Sequence, residues 1–145
     1  MTLVAAGEAL QMVMTHEPAK AIFWDQDEDR AKVLRNYAWT FWEQQHEALR
    51  NFYSVARPRR QQAEDRLELY DGGMCLALPG KDPDKIRSEH PTVLIMDECC
   101  YIERGGEAFD VALASRVPKI LLISTAAPSW IRRVTKMARL EDLPE

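Results

Sequence analysis

The sequence predicts an α/β domain built on a mostly parallel sheet flanked by helices, and three observations predict it. Thr92–Met96 and Lys119–Ile123 are near-continuous aliphatic runs, the form of strands covered on both faces. The roughly 20 residues between them read mostly as helix, and two such strands joined by a helix make a parallel crossover. Ahead of them, Glu28 to Tyr53 repeats apolar residues every three or four positions, the period of a long amphipathic helix.

Each element has its own local reason. Leu3, Ala6, Leu10, Val13 and Met14 stand at helical spacing, so the chain starts inside or at the edge of a helix that Pro18 ends. Lys20–Trp24 is a short apolar run suited to a buried strand, with Asp25 or Asp27 as the cap of the next helix. That long helix carries Ala31, Leu34, Ala38, Phe41, Ala48 and Phe52 on its stripe. Ser54–Asp65 is a polar, basic connector containing Arg57, Arg59 and Arg60. Arg66–Tyr70 and Met74–Leu78 flank Asp71-Gly72-Gly73, which reads as a hairpin closed by Pro79-Gly80. A polar loop with Pro83 and Pro91 leads to the first aliphatic run. Glu103–Arg116 is helical with Phe109, Leu113 and Val117 on one side, and Ser129 caps a last helix from Trp130.

Composition bounds the rest. With 145 residues, 46% of them hydrophobic, one packed core is expected and wholesale disorder is excluded. A formal charge of -4 argues against a protein that coats DNA through net charge alone. No apolar run reaches about 18 residues, and Glu8 interrupts an N-terminal stretch without basic residues, so neither a membrane span nor a secretory leader is expected. Cys75, Cys99 and Cys100 are an odd set with two neighbours, as in a reducing compartment. His16, His46 and His90 are not spaced with them as zinc ligands.

In open parallel sheets ligands bind beyond the carboxyl ends of the strands, which singles out Asp97-Glu98 and Ser124-Thr125. An acidic pair ending an aliphatic run has the form of a Walker B element, one carboxylate associated with Mg²⁺ and the next orienting or deprotonating water. Acidic residues also end strands because strands end at the surface, so the pair alone decides little.

Four segments in order decide more: Gly73–Gly80 (GMCLALPG), Pro83–Arg87 (PDKIR), Leu94–Cys100 (LIMDECC) and Ile120–Ala126 (ILLISTA). Together they closely resemble the ATPase domain of tailed-phage terminase large subunits, DNA-packaging motors with a P-loop fold of the ASCE type. The resemblance runs from about Thr2 to Arg133, with its specific part from Gly73 to Ala126. It implies that Asp97 associates with Mg²⁺ through water, that Glu98 activates water, and that Ser124 and Thr125 sense the γ-phosphate or couple hydrolysis to DNA movement. Arg87 would touch phosphate or DNA, although Ser88 stands where the family commonly has Gly. ATP and Mg²⁺ are the implied cofactors. Double-stranded DNA, the portal, the small terminase subunit and further copies of the chain are the implied partners, in the host cytoplasm and transiently at the procapsid portal.

One departure stands out. No GxxxxGK[ST] Walker A loop is present: Gly80-Lys81 is followed by Asp82, and Cys75 replaces the first glycine of that spacing. The expectation is a single partial ATPase domain over 1–145, lacking the first strand and phosphate loop and without a nuclease domain, with Met1 near the place of the loop's Lys-Ser/Thr. Such a chain should hydrolyse ATP poorly or not at all. The alternatives are a non-hydrolytic binding or structural remnant and another helicase-like ATPase. Arg57, Arg59 and Arg60 are DNA or trans-acting candidates against the plainer reading of a solvated loop. Trp39, Trp42, Leu49 and Tyr53, off the helix stripe, form a candidate interface or base-stacking patch, with core packing as the simpler reading.

Overall fold

The computed structural model describes residues 2–15, 19–125, 130–132 and 134–135. Helix α1 (Thr2–Thr15) leads to strand β1 (Lys20–Asp25), helix α2 (Glu28–Gln44) and a short helix α3 (Glu47–Phe52). The hairpin β2 (Arg66–Glu68) and β3 (Met74–Pro79) comes next, then α4 (Asp84–Glu89), β4 (Val93–Met96), α5 (Gly105–Ala114) and β5 (Lys119–Leu122). The sheet order is β2-β3-β1-β4-β5, with β3, β1, β4 and β5 mutually parallel and β2 antiparallel to β3. The α/β class, the hairpin and the crossover are as the sequence predicts.

Alternation along the strands divides the core into two layers. Ala21, Phe23, Cys75, Val93 and Ile95 face α1 and α2, whose Ala6, Ala9, Leu10, Leu34 and Ala38 cover them. Ile22, Trp24, Leu76, Leu94 and Met96 face Ile86 of α4 and Ala108 and Ala112 of α5. The alanines let these helices lie close to the strands, so aliphatic runs too short to alternate in polarity are sealed on both sides. Because α2 follows β1 on one face and α5 follows β4 on the other, β1 and β4 enclose a topological switch point at their carboxyl ends.

Several expectations are corrected. The long helix breaks: Gln45 turns extended at φ -67° and ψ 157°, and the ring Nδ1 of His46 accepts from Ala48 N at 3.2 Å to start α3. The stripe therefore stops after α2, and Phe52 is exposed. The break lets the chain fold back, so that Trp42 Nε1 donates to Tyr53 O at 2.8 Å and Tyr70 N to Ser54 O at 2.8 Å. Trp39 is 1% exposed and donates through Nε1 to Arg66 O at 3.2 Å, so for it the simpler reading, core packing, holds. The polar loop before β4 contains α4, held by the single buried side chain Ile86. On α5 the buried side is Gly105, Ala108, Phe109 and Ala112, and Leu113 points outward. Strand β5 is half-buried along its length and, among the described residues, is an edge strand. The cap expected at Ser129 lies outside the described residues. Asp27, not Asp25, caps α2, its side chain accepting from Asp29 N at 2.9 Å.

Candidate functional site

The parallel strands deliver Asp25, Lys81, Asp97-Glu98 and Ser124-Thr125 to one end of the sheet. Asp25 leaves β1 beside Pro79 of β3, and Asp97 leaves β4 one residue beyond the Trp24–Met96 pair. The two carboxylates are thus next to each other at the switch point, on the sheet face that α1 covers. An open cleft of about 1070 Å³ lies over this end, its wall including Asp25, Asp27, Arg30, Lys81, Glu98, Tyr101 and Thr125.

Asp97 is 9% exposed and both of its oxygens are engaged. Thr2 Oγ1, at the first residue of α1, donates to Oδ2 at 2.9 Å, and Glu98 N donates to Oδ1 at 3.0 Å. The start of a helix also carries positive potential, which favours a carboxylate there. Glu98 itself sits in the left-handed region at φ 46° and ψ 38°, a turn that sends its side chain into the cleft. There its Oε2 accepts from Thr125 Oγ1 at 3.4 Å.

The ladder continues past the strands to hold this pair in place. Ile123 N donates to Met96 O at 2.9 Å and Cys99 N donates to Ile123 O at 3.0 Å. Ser124 Oγ accepts from Cys100 N at 3.4 Å and donates to Thr125 O at 2.9 Å, so Ser124 ties the two turns together while Thr125 meets the acid. The four residues singled out by sequence, Asp97, Glu98, Ser124 and Thr125, are therefore one constellation.

Asp25 joins them, although the sequence offered it only as a cap. It is 4% exposed, and Asp27 N donates to its Oδ1 at 3.3 Å. Burial raises its pKa above the ordinary 3.8; the charge of Asp97 adds to the rise, while Arg30 and the amides of Asp27 and Gln26 oppose it.

The arginine candidates do not line the cleft. Arg59 donates to Asn36 Oδ1 at 3.0 Å, meets Glu43 at 3.4 Å and lies 5.7 Å over the Trp39 ring, which makes it a clasp between the connector and α2. Arg57 and Arg60 are exposed on the same connector, and Arg87 is exposed on the last turn of α4. Arg66 pairs with Asp65 at 3.0 Å. Among the described residues no group of three or more His, Cys, Asp or Glu side chains could hold a metal by itself. Asp97 and the Thr2 hydroxyl are oxygen donors of the kind Mg²⁺ takes when it keeps most of its waters and binds one or two carboxylates beside substrate phosphates.

The fold resembles that of a large terminase ATPase domain. An arginine-to-alanine variant of that domain from Thermus phage P74-26 matches with a TM-score of 0.68 at 12% identity, over 91% of this chain and 58% of the other. The unsubstituted domain from the same phage matches with a TM-score of 0.63 at 18% identity, over 87% of this chain and 55% of the other. The chain thus spans a little over half the length of these structural neighbours. No protein-family model and no curated protein matches the sequence. At these identities the likeness describes the fold.

Three site residues escaped the sequence reading. Thr2 was legible as a hydroxyl at the first turn of an apolar helix, yet its partner is 95 positions away. Asp25 and Lys81 each follow a strand-like run, the same signal that marked Asp97.

Proposed function

We propose that this chain is the Walker B and coupling side of a terminase-like, Mg²⁺-dependent ATPase that serves the packaging of double-stranded DNA. The observation that carries the reading is the Thr2–Asp97 hydrogen bond, which sets a helix-start hydroxyl on the first acid of the pair while Thr125 meets the second. A Ser/Thr hydroxyl and a strand-end Asp meeting at a helix start are the protein ligands of a Mg²⁺-nucleotide in P-loop enzymes. When bound, Mg²⁺ supplies charge neutralisation of the phosphates.

The residues of the chain divide the remaining work. Asp97, buried behind the cleft and fixed by two donors, would associate with Mg²⁺ through water. Glu98 is placed to accept a proton from water in the cleft, and Thr125 holds its carboxylate in that direction. Ser124 and Thr125 lie just beyond the end of β5, so through that strand they would couple hydrolysis to displacement of DNA. Arg57, Arg59, Arg60 and Arg87, away from the cleft, remain proposals as DNA or intersubunit contacts, as do the portal, the small terminase subunit and the host-cytoplasmic location.

The 145 residues contain no Walker A loop, so phosphate affinity and rate are expected to be low in this chain alone. The test compares ATP hydrolysis by the 145-residue chain with that of a version joined upstream to a phosphate-loop segment. The reading expects activity only in the joined version and a loss of about 10²–10⁴-fold on Glu98→Gln. Full activity in the short chain, or activity indifferent to Glu98→Gln, would overturn it. The second reading is a non-hydrolytic scaffold that keeps the fold. A joined version that folds but hydrolyses nothing would support that one.

A further inference from the structure

We propose that Lys81 is a phosphate-contacting residue of the cleft and that Arg104 is its positioning residue, an inference that rests on the nucleotide reading above. The cleft wall is acidic: Asp25, Asp27, Glu28, Asp29 and Glu98 line it, and a polyanion enters such a site only where cations offset them. Arg30 and Lys81 are the basic side chains of that wall among the described residues, and the charge of Arg30 already acts on Asp25. Lys81 has no ion pair among the described residues, and its side chain is exposed at the cleft.

Its backbone, by contrast, is held from three directions. Gly80 N donates to Asp25 O, and a Cβ at Gly80 would stand 2.9 Å from that oxygen and 3.1 Å from Trp24 Nε1, so only glycine lets the chain press against the end of β1. Arg104 Nη1 donates to Lys81 O at 3.0 Å while Nε and Nη2 of the same guanidinium are locked on Glu107 at 2.7 and 2.6 Å. Beyond it, Asp82 Oδ1 accepts from Asp84 N at 3.2 Å and turns the chain into α4. A rigid backbone carrying a free ammonium over an acidic floor is the arrangement of a point charge for phosphate. The Arg104 grip also ties Lys81 to the segment that follows Glu98, so the cation and the acid keep their spacing.

The experiment titrates ¹⁵N-labelled 145-residue chain with Mg²⁺·AMP-PNP to millimolar concentration, and separately with a short DNA duplex. Lys81→Ala should weaken nucleotide binding about tenfold, and Lys81→Arg should weaken it less. Arg104→Ala should weaken it partially, and the double variant should be no worse than Lys81→Ala, because Arg104 acts only through Lys81. Where the short chain shows no shifts, the same variants are compared in the version joined upstream to a phosphate-loop segment, and no shifts there either would sink the nucleotide reading of the cleft and this inference with it. If it binds and Lys81→Ala binds equally well, Lys81 is not a phosphate contact. A duplex affinity that falls with Lys81→Ala while nucleotide affinity holds would assign the lysine to DNA phosphates instead. Additive losses in the double variant would reduce Arg104 to a structural role.

Discussion

Glu98 allows the backbone of the site to be weighed separately from its chemistry. An L residue in the left-handed region, φ 46° and ψ 38° here, loses about 1–2 kcal/mol to crowding of Cβ against the following carbonyl, and glycine escapes that cost. Glycine also has more unfolded conformations to give up, about 0.4–1 kcal/mol relative to alanine. Glu98→Gly and Glu98→Ala remove the same carboxylate and the same 3.4 Å contact from Thr125, so their difference isolates the backbone. Subtracting the second effect from the first, Glu98→Gly should be more stable than Glu98→Ala by about 0.5–1 kcal/mol, roughly 2–4 °C in Tm for a chain of this size. At an ordinary helix or strand position the order is reversed by about the same amount. Urea unfolding followed by the fluorescence of the buried Trp24 and Trp39 reads the difference. Equal stability, or an advantage for alanine, would show that the turn after β4 is not strained and that the carboxylate is not held there at a cost. Both variants should also lose any hydrolysis that the proposed role of Glu98 supplies, the pattern expected where strain is kept for function.

Three further outcomes can be measured on the same protein. Asp25 holds its proton more tightly when folded than when unfolded, so its contribution to stability should decline as pH rises above about 4, and Asp25→Asn should stabilise the protein at neutral pH and flatten that decline; a destabilised Asn variant at pH 7 would mean that the carboxylate is needed ionised. Trp39→Ala should cost about 3–5 kcal/mol in urea denaturation, because the ring is fully enclosed between α2 and the hairpin and also carries the Arg59 stack, and a loss below 1 kcal/mol would return Trp39 to the surface. Iodoacetamide at neutral pH should modify the half-buried Cys100 first, because burial pushes the Cys75 thiol up to about 12 and that of Cys99 up to about 11; early labelling of Cys75 in the folded protein, read by mass spectrometry, would contradict the core described here.

The amino-acid sequence by itself determined what depends on near neighbours. Aliphatic runs without polar alternation marked β1 and β4 as buried strands, since a strand sealed on both faces has no polar side to show. Asp71-Gly72-Gly73 marked the hairpin, and Gly72 adopts φ 92° there. The acid pair and the Ser-Thr pair were legible for a related reason: each comes directly after a run that had to be a strand, and parallel strands release their next residues at one end of the sheet.

Only the tertiary structure decided which of those residues meet. Thr2 and Asp97 are brought together because α1 packs across β1 and β4, a consequence of packing that no spacing along the chain encodes. The helical period ran on past Gln44, yet the chain gains more by turning at His46 and bonding Tyr53 and Ser54 to Trp42 and Tyr70 than by extending a helix whose next apolar residues had nothing to cover them. The same packing took Trp39 into the core and Arg59 onto its ring, and among the described residues β5 is a half-buried edge strand where its aliphatic run suggests a buried one. Local periodicity fixes which face of an element is apolar, and long-range contact decides whether anything lies against it.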